Sequence, residues 1–238
     1  MEQKILKSIE NDIITEMEHI ILDIIQNEKI ELKVAGKKDR VGASISSFLE
    51  EKFCEYVLSK YNDKFKNPKS APKNKTKNPW DAKFDYKYNE QLIHIWIDFK
   101  SINKDMEDSN PDMGSSDKIF KMAEENVFFL LYVEVYYTIN KNNNIVLDKD
   151  KIKIYFLHNI ANSYRRTPTN QMQVNINESP IFDRTFKDFL KLHSQKLQES
   201  YKREIDKINK KVNQLPNKIK EVEEKFNQIL INIKDNID

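Results

Sequence analysis

Residues 80–102 read WDAKFDYKYNEQLIHIWIDFKSI, and the alternation within this stretch decides the fold. In its second half Ile93, Ile95, Ile97 and Phe99 fall on one face of an extended strand, while His94, Trp96, Asp98 and Lys100 fall on the other. The first half alternates likewise, with Ala82, Phe84, Tyr86 and Tyr88 against Asp81, Lys83, Asp85 and Lys87. If Asn89, Glu90 and Gln91 include the turn of an antiparallel hairpin, joining the two apolar faces sets odd positions of the first strand beside even positions of the second. Asp81 then lands near Asp98 and Lys100, and Asp85 nearer His94. Two carboxylates and an ammonium on one face suit the holding of a divalent cation beside a phosphodiester.

The acid-x-lysine tripeptide alone proves nothing in a chain this charged, since it occurs seven times, starting at Glu2, Glu31, Glu50, Asp81, Asp85, Asp98 and Glu223. Only the copy at Asp98 closes an alternating strand, with Phe99 anchoring it in the core between the two charged residues. The competing reading is a half-solvated hairpin with a charged outer face. A covered polar face tells against it, because buried carboxylates are costly unless a cation neutralises them.

At these residues the sequence resembles the PD-(D/E)xK nuclease superfamily, and within it a type II restriction endonuclease. In that family an acid opens one strand, a second acid and a lysine end the next, and an earlier helix often adds a glutamate. Matched residue by residue, the motif falls on Asp81, Asp98 and Lys100, the acids 17 residues apart, with Trp80 preceding Asp81 where the motif has proline and Pro79 one position earlier. The earlier helix is Ser44 to Leu58, where Ile45, Leu49, Phe53 and Tyr56 or Val57 recur at helical spacing, so the glutamate is Glu50 or Glu51, with Glu50 preferred. The resemblance spans roughly Gly42 to Ile176. It implies catalysis by Asp81, Asp98, Lys100 and Glu50, with Mg²⁺ held by Asp81, Asp98 and the backbone carbonyl of Phe99.

Composition sets outer limits. A chain of 238 residues can bury one substantial core with an appended helical element, and 39% hydrophobic content at a mean hydropathy of −0.74 is low but globular. One cysteine, Cys54, rules out an intrachain disulfide framework and a site of several thiolates. No segment is long and apolar enough to cross a membrane and the N-terminus lacks a secretory pattern, so a cytoplasmic protein is expected.

A net charge of +2 is nearly neutral, so the case for a nucleic-acid partner rests on where the charges lie. Seven lysines and one acid occupy positions 60–77, a basic loop (60–78) that leads into the hairpin and offers Lys73, Lys75 and Lys77 to phosphates. A solvated linker is the alternative. Arginine is scarcer, five against 35 lysines, and Arg165 and Arg166 are adjacent in a polar stretch with Asn170 and Gln171. Arg pairs bidentately with guanine, and Asn or Gln with adenine, so this stretch has the chemistry of base readout. The acidic loop from Lys104 to Ser116 either caps the following helix through Ser115, Ser116 and Asp117 or presents Asn110 to DNA.

The remaining pattern completes an α/β (α+β) fold, a mixed central sheet flanked by helices. Met1 to Gln26 is an amphipathic helix, Ser116 to Glu125 a short one, Val127 to Ile139 a central strand, and Ile152 to Leu157 and Gln171 to Ile176 further strands. After Phe182 the chain becomes charged and helical, with a seam at Tyr201, Ile205, Ile208, Val212, Leu215, Ile219, Val222, Phe226, Ile229 and Ile233. Pro216 should kink it or open a helix-turn-helix near Gln214 to Asn217. The expected division is a nuclease core at 1–182 and a C-terminal helical, coiled-coil-like extension at 183–238. Such a seam suits a homodimer, in which each subunit cuts one strand of a palindromic duplex. The expectation is thus a sequence-specific, Mg²⁺-dependent endonuclease acting on double-stranded DNA, with a cognate DNA methyltransferase as possible partner. A structure-directed or nonspecific nuclease and a non-catalytic DNA-binding coiled-coil protein are the alternatives.

Overall fold

The computed structural model describes residues 2–28, 41–72, 78–106, 110–167, 170–175 and 177–234. The chain divides into two compact units, Met1–Phe189 and Leu190–Asp238.

In the first unit, helices α1 (Glu2–Asn27) and α2 (Val41–Ser59) cover one face of a five-stranded sheet. Its strands are β1 (Phe65–Ser70), β2 (Ala82–Tyr88), β3 (Gln91–Asn103), β5 (Phe129–Ile139) and β6 (Ile145–Phe156), in the spatial order β1-β2-β3-β5-β6. Strand β5 runs parallel to β3 while all other pairs are antiparallel. A parallel pair needs a crossover, and this one carries β4 (Asp112–Ser115) and helix α3 (Ser116–Glu124). Strand β4 joins β7 (Arg165–Arg166) and β8 (Gln171–Gln173) in a separate three-stranded sheet, ordered β4-β8-β7.

The helical spacing of Ile13, Met17, Ile20 and Ile24 on α1, and of Ile45, Leu49 and Phe53 on α2, buries one stripe of each helix completely. These stripes meet the odd positions of β3 (Ile95, Ile97, Phe99) and of β5 (Leu131, Val133, Val135), and the even positions of β2 (Ala82, Phe84, Tyr86). Phe53 is the hub. Its ring lies 6.4, 5.7 and 6.2 Å from those of Phe65, Phe84 and Phe99, which ties α2 to three neighbouring strands. Because Glu50 is one helical turn before Phe53, the same packing sets its position relative to the hairpin.

Several local expectations change. The segment after Lys60 is not loop throughout, because Phe65–Ser70 pairs with β2 as an edge strand. Pro68 is tolerated at an edge, and the register shift between Lys66 and Lys69 with Asn67 at φ 51° marks a bulge. Strand β5 is interior but not central, since β3 is the middle strand. Strand β6 begins at Ile145, seven residues before the apolar alternation that announces it. The polar stretch from Asn159 to Gln173 contains a two-stranded ladder, Arg165 opposite Gln173 and Arg166 opposite Met172. Ser115 stands at the N-cap of α3, but its hydroxyl makes no capping bond.

The second unit continues the last helix, α4 (Phe186–Lys234), which runs through Pro216 as one helix. The expected helix-turn-helix is therefore absent. A proline removes a single backbone donor, and here the helix-favouring Gln, Leu and Lys residues around it carry the helix across that loss. The apolar seam residues Ile205, Ile208, Val212, Leu215, Ile219, Val222 and Phe226 are exposed. No described helix is long and apolar enough to cross a membrane.

Candidate active site

The hairpin closes through Asn89 and Glu90 at φ 45° and 64°, the paired positive values of a tight two-residue turn. Its register sets Asp85 opposite His94 and Ala82 opposite Ile97. At the open end the Asp81 N–H donates to the Ile97 carbonyl at 2.9 Å, and Oδ2 of Asp81 accepts the Phe99 N–H at 2.7 Å. Asp81 is thus fixed beside Asp98 and Lys100. Nearer the turn, His94 Nδ1 lies 2.5 Å from Asp85 Oδ1, and Asp85 also accepts from Asn67 at 2.7 Å. That pair is separate from the acids at the open end.

Both oxygens of the buried Asp98 carboxylate hold an ammonium. Lys100 Nζ is 2.6 Å from Oδ1, and Lys118 Nζ is 2.5 Å from Oδ2. Lys118 comes from α3 and is a site residue that sequence reasoning missed. One signal was available: it falls with Ile119 and Met122 on the buried side of a nine-residue helix, where a lysine needs a partner. Gly114 makes room for it, since a Cβ there would meet Lys118 Cδ at 2.9 Å, and its φ of 90° is one that side-chain-bearing residues avoid.

Burial alone would raise the Asp98 carboxyl, but Lys100 and Lys118 hold it below the ordinary carboxylate range. Among the described residues Asp81 has no direct lysine partner. Its burial and the negative charge of Asp98 raise it to about 6, against the opposing pull of Lys100 and the Phe99 N–H. Glu50 is raised to about 7 by burial and then by Asp81 and Asp98, which brings all three acids into one electrostatic cluster. Lys100 loses some affinity for its proton through burial, yet the charge of Asp98, its hydrogen bond, and the charges of Asp81 and Asp112 raise it overall. Glu51, the less favoured alternative, is exposed.

The donor set suits a hard divalent cation. Mg²⁺ takes oxygen ligands, commonly one or two carboxylates with waters and a substrate phosphate, and the mutual repulsion of Glu50, Asp81 and Asp98 is what such a cation relieves. Among the described residues no three His, Cys, Asp or Glu side chains converge on one metal point. The Phe99 carbonyl, next in the chain to Asp98, accepts the Ser46 hydroxyl of α2 at 3.2 Å.

A cleft of about 540 Å³ opens beside Asp98 and Lys100 and is also lined by Asn78, Lys118, Lys121 and Gln171. The candidate base-reading residues lie on or beside the small sheet, from which Gln171 reaches the cleft. Arg165 donates to Gln173 at 2.9 Å, Arg166 donates to Asn170 at 2.7 Å, and Asn170 donates to Asp117 at 3.3 Å. The Asn110 carbonyl accepts from Gln173 at 3.4 Å, which joins the acidic loop to the same network. The structure therefore brings Asn110, Arg165, Arg166, Asn170 and Gln171 together. Lys73, Lys75 and Lys77 lie outside the described residues.

No curated protein matches this sequence. Among solved structures, the NlaIV restriction endonuclease is similar at 16% identity, covering 74% of this chain and 77% of its own, with a TM-score of 0.41. Residues 5–215 match the SwaI-like family, described as SwaI restriction endonuclease. That span takes in Glu50, the acidic hairpin, Lys118 and the arginine-bearing sheet. An acid-lysine cluster beside an open cleft is the equipment a DNA nuclease needs, and the chain belongs to the SwaI-like restriction endonuclease family.

Proposed function

We propose that the protein is a sequence-specific type II restriction endonuclease that hydrolyses phosphodiester bonds of double-stranded DNA with Mg²⁺. The observation that carries this reading is the adjacency of Asp81 and Asp98 at the open end of one hairpin, with Lys100 bonded to Asp98 and Glu50 in electrostatic reach of both. Asp81, Asp98 and the Phe99 carbonyl are the metal ligands, and Glu50 holds a second ion or a water. A divalent ion bound there supplies polarisation of the phosphate oxygens, a more acidic water and stabilisation of the leaving alkoxide. Lys100, kept protonated by its carboxylate neighbours, orients the attacking water and offsets charge developing on the phosphate. His94, paired with Asp85, has no part in the reaction.

Arg165, Arg166, Asn170 and Gln171 read base edges, Asn110 contacts DNA near the scissile phosphate, and Lys73, Lys75 and Lys77 contact the backbone. Residues 1–182 form the nuclease core, and the 183–238 extension pairs two copies through its exposed seam. The homodimer acts in the cytoplasm beside a methyltransferase that protects the same site. Purified protein incubated with unmethylated plasmid and phage DNAs, in Mg²⁺ or EDTA, tests this reading. Discrete Mg²⁺-dependent fragments are expected. A smear would remove the sequence specificity, and uncut DNA would refute the activity.

A further inference from the structure

We infer that Lys118 is a placeholder cation: it neutralises Asp98 until a metal ion binds, then swings its ammonium into the cleft to meet a DNA phosphate. This rests on Asp98 being a metal ligand. With Lys100 on Oδ1 and Lys118 on Oδ2, a dication that takes a remaining lone pair of Asp98 sits within a few ångströms of two ammonium groups. Like charges a few ångströms apart in a poorly hydrated site repel strongly, so the dication and an ammonium disfavour one another.

Of the two lysines, Lys118 is the one built to depart. Lys100 shares a strand with Asp98 and is also attracted by Asp81 and Asp112. Lys118 reaches Asp98 from another element, its stem against Gly114 and its ammonium 5.9 Å from the Tyr132 ring. Its only salt bridge among the described residues is to Asp98, and its pull on Asp81 is weaker than that of Lys100. It also lines the 540 Å³ cleft with Lys100 and Lys121, so a rotation of its flexible four-carbon stem carries the charge into open space without leaving the site. The exchange keeps charges matched. Asp98 trades an ammonium for a dication, and the phosphate that accompanies the metal receives the ammonium.

Calorimetric titration of the DNA-free protein with Mn²⁺ tests the idea, using wild type, Lys118→Met, Lys118→Arg and Asp98→Ala. Removing the competing charge should tighten Mn²⁺ binding by about tenfold or more in Lys118→Met, while Lys118→Arg stays near wild type. Cleavage by Lys118→Met at saturating metal should nevertheless fall by about 10²-fold, the size of a lost charge-stabilising donor. Tighter metal binding together with slower cleavage is a combination that a merely structural lysine would not produce. If Lys118→Met binds Mn²⁺ no more tightly while Asp98→Ala loses it, Asp98 remains the ligand and the placeholder role is overturned. If Lys118→Met binds more tightly yet cleaves at the wild-type rate, the transfer to phosphate is overturned. If Asp98→Ala binds Mn²⁺ like wild type, the metal-site reading itself falls. Lys118→Gln, which keeps a donor for Asp98, carries the same expectations should the Met variant not fold.

Discussion

Replacing Glu50 by Gln should stabilise the metal-free protein at high pH and leave it unchanged at low pH. The Glu50 carboxyl is raised from 4.5 to about 7, first by burial and then by Asp81 and Asp98. A group of this kind binds its proton more tightly when folded. Its stabilising contribution is complete below pH 4.5 and is lost as the pH rises to about 7. At roughly 1.4 kcal/mol per unit, the shift corresponds to about 3 kcal/mol. Glu50 is only half-buried and water screens part of the repulsion, so about 1–2 kcal/mol is the expected remainder. Gln keeps the shape and never ionises. Thermal unfolding followed by circular dichroism in EDTA should give equal midpoints for wild type and Glu50→Gln near pH 4.5, with the variant about 3–6 °C higher at pH 8. A variant that melts at or below wild type at pH 8, or by the same difference at both pH values, would refute the acid cluster.

Phe53→Ala removes the ring joining α2 to three strands and should cost about 3–5 kcal/mol in urea unfolding; a loss below about 1 kcal/mol would mean that α2 is held elsewhere. Arg165→Ala and Arg166→Ala should each weaken binding to the recognition sequence by about 1–3 kcal/mol in a gel-shift titration and leave nonspecific DNA binding nearly unchanged. Equal losses on both DNAs would make them phosphate contacts. Val212→Glu combined with Val222→Glu places charges in the exposed seam and should convert a dimer to monomer in sedimentation velocity; an unchanged dimer would assign pairing to another surface.

The hairpin was legible because two strands alternate with period two and a turn-forming pair separates them, so one register unites the apolar faces. Once Ala82 faces Ile97, Asp81 must stand at Asp98. Helix α2 was equally legible from Ile45, Leu49 and Phe53. The first strand was not, because Asn67 and Pro68 interrupt its alternation and only an edge position with a bulge accommodates them. The short strands β7 and β8 carry mostly polar residues and take their pairing from each other and from β4, a signal that no local window holds. Lys118 was hidden for a different reason. Its partner Asp98 is 20 residues away on another element, and only the crossover through Gly114 brings them into contact. Coulomb partners of this kind are tertiary facts, whereas hydrophobic period is a local one.

The most direct test of the central claim, that Asp81 and Asp98 form the metal-dependent cutting site, is the cleavage rate of Asp98→Ala beside its DNA affinity. Cleavage is measured in Mg²⁺, and affinity in EDTA, where no cutting is expected. Cleavage should fall by at least about 10³-fold, with DNA binding no weaker than wild type. An Asp98→Ala enzyme that cuts at the wild-type rate would contradict it.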